Sequence, residues 1–335
     1  MLKNERPYAS NNFNSSDLKT ILHSKRANIY YLQYCRVMQK DGRILYLTEA
    51  EKENLYYNIP IANTTSIILG TGTSITQSAM RMLAQAGVLV GFCGGGGTPL
   101  FAGTEIEWMT PQSEYRPTEY IQGWLSWWWD DDKRLQAAKQ LQMARLEFMQ
   151  RVWSKDQYLK QNGFDSTTEQ ISGLINKHKQ QILLQDTVTH LLQLEARLTK
   201  QLYKLAVQNT GYSGFTRDHG GIDKANAFLN HGNYLAYGLG ATTAWVLGIP
   251  HGFAVMHGKT RRGALVFDIA DIVKDTLILP LAFICASENA KEQEFRQECL
   301  NYFTDHKALD EMFKVVKGLA LNKEWEDKES WEDNE

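Results

Sequence analysis

A chain of 335 residues with 43 % apolar and 22 % charged side chains has room for two domains with real cores. The net charge of −2 argues against a broadly basic nucleic-acid coat, but that sum is uneven. The last thirteen residues, KEWEDKESWEDNE (323–335), carry seven acids and two lysines, leaving the body at +3, so any basic patch must be local. The acidic tail reads as a solvated, disordered end. Cys35, Cys93, Cys285 and Cys299 lack the paired spacing of a zinc site and are expected to be reduced and buried. The opening MLKNERPYASNNFNSS has no signal-peptide pattern, and the chain is expected to be cytoplasmic. Residues 234–256 hold no Asp, Glu, Lys or Arg, yet they contain four glycines, Pro250 and His251. That stretch is therefore expected to be a buried core helix ending near Gly248–Pro250, and no membrane partner is expected.

The first hundred residues read as β-rich. NIYYLQYCRVMQ and RILYLT flank Lys40-Asp41-Gly42, a hairpin signal. SIILG, a helix over TSITQSAMRMLAQAG and VLVGFCG follow as strand–helix–strand, with Thr73 or Ser74 as cap and Gly87 as terminator. Gly94–Gly97 turns the chain toward a last strand near 99–103. MTPQSEYRP then changes the texture, with two prolines and little periodicity. The expected organisation is α+β: a β-rich domain over 16–110, a linker at 111–117, an all-helical domain over 118–322, and the tail. Helices are expected at 118–160 (one or two, with Trp124, Trp127, Trp128 and Trp129), 186–208, 223–247 and 264–287, and as a pair over 290–320.

Two helices place acids where apolar residues belong. In HLLQLEARLTKQLYKLA, Leu191, Leu194, Leu198, Leu202 and Leu205 trace a stripe, and Glu195 points within about 40° of Leu191. Arg197, Lys200 and Lys204 fall on the far side. In VFDIADIVKD, Asp268, Asp271 and Asp275 sit at i, i+3 and i+7 among Val266, Phe267, Ile269, Ile272 and Val273. Carboxylates one turn apart raise each other's pKa unless a cation neutralises them. That cation is a lysine or arginine, or a divalent metal. Oxygen ligands suit Mg²⁺ and Mn²⁺, and an imidazole shifts the preference toward Mn²⁺. His257 precedes the helix by a short glycine-containing loop, so Glu195, His257, Asp268 and Asp271 can form a mixed oxygen and nitrogen site. An exposed acidic face paired with Lys259 or Lys274, with His257 as a cap, explains the same spacing.

Lys259, Arg261 and Arg262 lie within five residues of His257, and Arg217 stands in a glycine-rich loop upstream. Bases beside a metal-binding acid cluster are how a protein positions a phosphodiester for attack. Asp223, Asn226, Asn230 and Tyr234 fall on one face of the preceding helix, either as hydrogen-bond support for the metal ligands or as a buried network. GFAVMHGKT is one residue too long between its glycines for a phosphate-binding loop, and GTG at 70–72 lacks the third glycine of a dinucleotide fingerprint. DDDK at 130–133 with DIAD suggests diphosphate processing, but three adjacent acids point in three directions.

The run from Asp223 to Asp275, with Asn226, Asn230, Tyr234, Gly248, Pro250, His257, Asp268 and Asp271 in order, resembles the core of the CRISPR adaptation integrases, the first-numbered protein of that system. LEARLTKQLYKLA resembles the family's glutamate helix and LGTGTSITQSAMRMLAQAGVLVGFCGGGG its β-domain signature; SDLKTILHSKRAN and TPQSEYRPTEY are similar to the type I-F subfamily. The resemblance implies a β-sandwich-like N-terminal domain, an all-α catalytic domain and a homodimer. It implies Mg²⁺ or Mn²⁺ bound by Glu195, His257 and Asp271, with Asp268 close by in the catalytic site. The implied activity is metal-dependent endonuclease and integrase chemistry: the 3′-hydroxyl of a foreign DNA fragment attacks a phosphodiester at a CRISPR repeat, and branched DNA is cleaved. The implied partners are DNA and a second adaptation subunit fused to a helicase-nuclease. Lys274 stands where many relatives carry arginine. A non-catalytic DNA-binding scaffold with structural acids is the competing expectation.

Overall fold

A computed structural model describes residues 28–50, 53–94, 107–109, 118–218, 220, 223–257 and 263–321. The strand expected near 99–103, the linker at 111–117, the acidic tail, and Lys259, Arg261 and Arg262 lie outside the described residues.

One strand was expected over 28–39, but two form, β1 (Asn28–Leu32) and β2 (Cys35–Lys40). Tyr34 breaks the run at φ 47°, and the halves join different sheets. The expected hairpin closes β2 onto β3 (Arg43–Ala50), with Asp41 and Gly42 both at positive φ as a two-residue turn requires. β4 (Glu53–Ile59) was not expected; it pairs antiparallel with β3. The chain continues through β5 (Thr64–Leu69), the two-residue β6 (Ser74–Ile75), helix α1 (Gln77–Gln85), β7 (Leu89–Phe92) and β8 (Glu107–Met109). One sheet runs β4-β3-β2-β6 and the other β1-β5-β7-β8, the latter parallel except for β8. The cap of α1 is Thr76, whose hydroxyl accepts from the Ala79 amide at 3.3 Å, rather than Thr73 or Ser74. Ser74 is instead paired with β2.

Alternation along β5 gives that strand two jobs. Ile67 and Leu69 join Val37, Ile44, Ile59, Leu83 and Val90 in the core between the two sheets and α1, while Ile68 joins the core of the helical region.

That region contains α2 (Glu119–Trp128), α3 (Asp131–Lys155), α4 (Gln157–Gln161), α5 (Glu169–Leu183), α6 (Val188–Thr210), α7 (Lys224–Val246), α8 (Ala264–Ser287), α9 (Glu292–Asp305) and α10 (Ala308–Ala320). The molecule is therefore α+β, a small N-terminal strand domain followed by helices. Helix α5 was not expected, although Ile171, Ile175, His178 and Ile182 mark its buried stripe. DDDK begins α3: Asp130 caps it by accepting from the Asp132 and Lys133 amides. Its acids serve the positive end of the helix dipole.

Helix α8 runs through the middle, almost wholly buried, against α3, α6, α7 and α9. Contact with α7 is close because a Cβ at Gly240 would stand 2.7 Å from the Val266 carbonyl oxygen. Pro280 removes the amide that would bond the Thr276 carbonyl, and the Trp153 indole donates to that carbonyl instead, at 2.9 Å. Among the described residues no helix is long and apolar enough to cross a membrane. The four cysteines are free and buried.

Candidate metal centre

Three elements converge on one point. The leucine stripe of α6 is buried as expected and turns Glu195 inward, its side chain 11 % exposed. Helix α8 carries Asp268, Asp271 and Asp275, all buried. His257 lies in the connection between α7 and α8, and residues 253–257 of that connection are fixed from two sides. The Trp124 and Trp128 indoles donate to the Phe253 and Ala254 carbonyls at 3.2 and 2.8 Å. The Asp268 carboxylate accepts from the amides of Val255, Met256 and His257 at 2.6, 3.1 and 3.2 Å.

The three aspartates, one expected cluster in the sequence, have separate surroundings. Asp268 also bonds Nδ1 of His257 at 2.6 Å, which fixes the ring and leaves Nε2 facing away from it. Asp271 pairs through Oδ1 with Lys274, and its buried Oδ2 has no hydrogen-bond partner among the described residues. Asp275 pairs with Arg145 of α3, a guanidinium buried completely. Arg145 also meets Glu195 Oε1 at 3.0 Å. Sequence reasoning missed Arg145, though a signal was there: it continues the buried stripe Ala138, Leu141, Phe148, Val152 at helical spacing.

The atoms left over face one another. His257 Nε2 is 4.0 Å from Glu195 Oε2 and 3.8 Å from Asp271 Oδ2, and one donor atom from each of the three residues lies within 4.8 Å of the others. Ligands about 2.1 Å from one ion stand roughly 3–4 Å apart, so modest inward movement would close this set on Mg²⁺ or Mn²⁺. A buried carboxylate oxygen without a partner is costly unless something charged meets it. The donor set and that oxygen fit a divalent cation.

The electrostatics agree. Burial first, and then Asp271, push the Glu195 carboxyl up to about 7. Asp271 is held well below the usual carboxylate range: burial opposes its charge, but Lys274, His257 and Arg145 together prevail. For His257, burial disfavours the charged ring, yet the Asp268 hydrogen bond and the nearby carboxylates raise its pKa. Lys274 and Arg145 are driven upward by the same carboxylates against burial and stay charged. Two fixed cations thus offset part of the acid cluster, and Glu195 is the member whose charge awaits another positive partner.

Of the expected hydrogen-bond support, Asn226 and Asn230 both hold Arg217, their side-chain oxygens accepting from its Nη1 at 2.8 Å and Nη2 at 2.7 Å. Asn226 also donates to the Thr216 carbonyl and to Asp223, fixing the loop before α7. Tyr234 lies edge-on to Tyr237, whose ring meets Phe267 beside His257. The polar line along α7 therefore positions an arginine.

Comparison with known proteins defines the class. The profile described as "CRISPR associated protein Cas1" matches residues 29–316. The CRISPR-associated endonuclease Cas1 of Pseudomonas aeruginosa (strain UCBPP-PA14) is 56 % identical over 311 residues, covering 91 % of this chain and 96 % of that protein. Two solved structures share the fold: a TtCas1–DNA complex (TM-score 0.64, 21 % identity, 87 % of this chain and 91 % of that one) and a casposase bound to integration product (TM-score 0.65, 13 % identity, 88 % and 90 %). The chain belongs to the Cas1 family of CRISPR-associated endonucleases.

Proposed function

We propose that this protein is a type I-F integrase and endonuclease of CRISPR adaptation that joins DNA at a single divalent metal site. Glu195, His257 and Asp271 would hold Mg²⁺ or Mn²⁺. The ion, when bound, would supply positive charge at the attacked phosphate and lower the pKa of the attacking hydroxyl. The protein's own contribution is orientation. Asp268 fixes the imidazole tautomer and the loop, Lys274 and Arg145 hold the two carboxylates, and the buried wall behind them strengthens the charge interactions in front. In the proposed reaction the 3′-oxygen of a captured fragment bonds to a repeat-edge phosphorus and gives its proton to solvent, while the existing P–O3′ bond breaks and the leaving 3′-oxygen takes a proton from solvent. With water as nucleophile the same site cleaves branched DNA. Lys259, Arg261 and Arg262, next to His257 in sequence, would contact DNA phosphates. A homodimer suits two staggered attacks on one repeat, working in the cytoplasm with a second adaptation subunit fused to a helicase-nuclease.

One observation carries this reading: a buried Asp271 oxygen, without a hydrogen-bond partner among the described residues, faces Nε2 of His257, which also faces Oε2 of Glu195. A scaffold reading draws on the Lys274 and Arg145 pairs, which neutralise acids as a purely structural network would. The two separate in one experiment. Protein, partner subunit, Mn²⁺, a 3′-hydroxyl duplex and a supercoiled repeat-bearing plasmid are combined, with Asp271→Ala in parallel. Joining or nicking that disappears in the variant is expected. DNA binding with no covalent product in either protein establishes the scaffold.

A further inference from the structure

We propose that Arg145 is the positioning residue of the metal centre: its guanidinium fork occupies one oxygen of Glu195 so that the other is presented to the ion. This inference rests on the metal-site reading above.

The geometry is specific. Nη1 of Arg145 lies 3.0 Å from Glu195 Oε1, leaving Oε2 toward His257. Nη2 bonds the Thr199 hydroxyl, one turn beyond Glu195 on the same face of α6, at 3.2 Å, and it also pairs with Asp275 on α8. The fork therefore ties the glutamate helix to the aspartate helix from a third helix, α3. Nη1 further donates to Gln142 Oε1 at 3.1 Å, and the Gln142 amide reaches the Met256 sulfur at 3.3 Å, next to His257 in the chain. One buried side chain thus touches the supports of all three ligand-bearing segments.

A planar guanidinium with five donors in a rigid fork does this; an ammonium supplies charge at one point only. The same logic holds at the other two ligands. Lys274 occupies Asp271 Oδ1 and leaves Oδ2, and Asp268 occupies His257 Nδ1 and leaves Nε2. Each ligand is held at one atom and presented at the other. For Glu195 this means binding through one oxygen.

The sign of the effect distinguishes positioning from mere charge balance. A cation beside a metal site repels the metal, so a residue that only neutralised acids would, when removed, strengthen metal binding. A residue that orients a ligand would weaken it when removed, by about 10- to 100-fold as supporting hydrogen-bond partners generally do. The test uses Arg145→Met combined with Asp275→Asn, which removes one positive and one negative charge together and leaves no stranded Asp275 carboxylate, and Arg145→Lys alone, which keeps the charge and loses the fork. Mn²⁺ affinity is read from the loss of the free-ion electron paramagnetic resonance signal, with thermal unfolding in parallel. Expected are a 10- to 100-fold weaker affinity in the double variant, a smaller loss in Arg145→Lys, and, in crystals of the wild-type protein soaked in Mn²⁺, Glu195 bound through Oε2 alone with Oε1 still on Arg145. Wild-type or tighter affinity in either folded variant overturns the proposal, as does a bidentate Glu195 or a detached Arg145 in the soaked crystal, which needs no variant to fold. Failure of the wild-type protein to bind Mn²⁺ removes the metal site itself, a distinct result.

Discussion

Asp268 stands in the site with its oxygens engaged by the chain itself. Its oxygens accept from three consecutive backbone amides and bond His257 Nδ1. Asp268→Asn keeps the shape, but one carboxylate oxygen becomes an amide donor turned toward backbone N–H groups or toward the ring. Hydrogen bonds to buried charged groups contribute about 1.5–3 kcal/mol each, and a rearranged network recovers some of that, so a net destabilisation of roughly 2–3 kcal/mol is expected. Because the imidazole loses the partner that fixes its tautomer, Mn²⁺ affinity should fall about 10- to 100-fold, more than stability alone would predict. Chemical denaturation and Mn²⁺ titration of the same variant check both. Unchanged affinity in a folded Asp268→Asn protein would place the aspartate outside the metal's support. The sequence carried half of this. Spacing put Asp268, Asp271 and Asp275 on one helix face and the leucine stripe turned Glu195 inward, but the partners that separate their roles lie far away in the chain. Arg145 is 130 residues before Asp275, and nothing local distinguishes a stripe arginine that pairs in the core from one that reaches solvent.

Helices were more legible than strands for a related reason. Long amphipathic periodicity survives in α6, and sheer apolar content marks α7 and α8, while strand partners are chosen by distant segments. The break at Tyr34 sends β1 and β2 to different sheets, a decision made by β5 and β3 rather than by NIYYLQYCRVMQ itself. Strand β4 escaped notice because it is an edge strand with Leu55, Tyr56 and Tyr57 exposed, so no alternation toward a core announces it. The most consequential pairing of elements is α7 on α8, since α8 holds Asp268 and Asp271. Gly240→Ala would drive a methyl group to 2.7 Å from the Val266 carbonyl oxygen, a backbone atom that cannot rotate away. Overpacking costs about 1–3 kcal/mol, and the gain of about 1 kcal/mol in helix propensity from glycine to alanine offsets only part. A net loss of up to about 2 kcal/mol is expected, with weaker Mn²⁺ binding because α8 must shift relative to the His257 loop. A melting temperature at or above that of the wild type would show that the crossing tolerates the methyl group.

At the scale of the whole molecule the two regions are joined through β5. Ile67 and Leu69 complete the core between the sheets, and Ile68, fully buried, completes the helical core. Trp108 of β8 packs against Gly238 of α7, where an added Cβ would come within 3.2 Å of the indole, and Arg296 of α9 lies 4.4 Å over the Tyr31 ring of β1. Among the described residues strands end at Met109 and helices begin at Glu119, but the strand domain cannot melt without uncovering the helical core beneath Ile68. Apolar burial shared in this way couples the two parts. Calorimetry of the metal-free protein should therefore give one transition, with van't Hoff and calorimetric enthalpies equal. Ile68→Ala, which leaves a cavity on the helical side only, should cost about 2–5 kcal/mol. It should lower the midpoint seen by far-ultraviolet circular dichroism, dominated by the helices, and by the ¹⁹F resonance of a fluorotyrosine placed at Tyr46, which stacks 5.0 Å from Tyr57 in the outer sheet, by the same amount. Two separated transitions in the wild-type protein, or a variant in which the helical signal moves and the sheet signal does not, would mean that the strand domain is attached to the helices rather than folded with them.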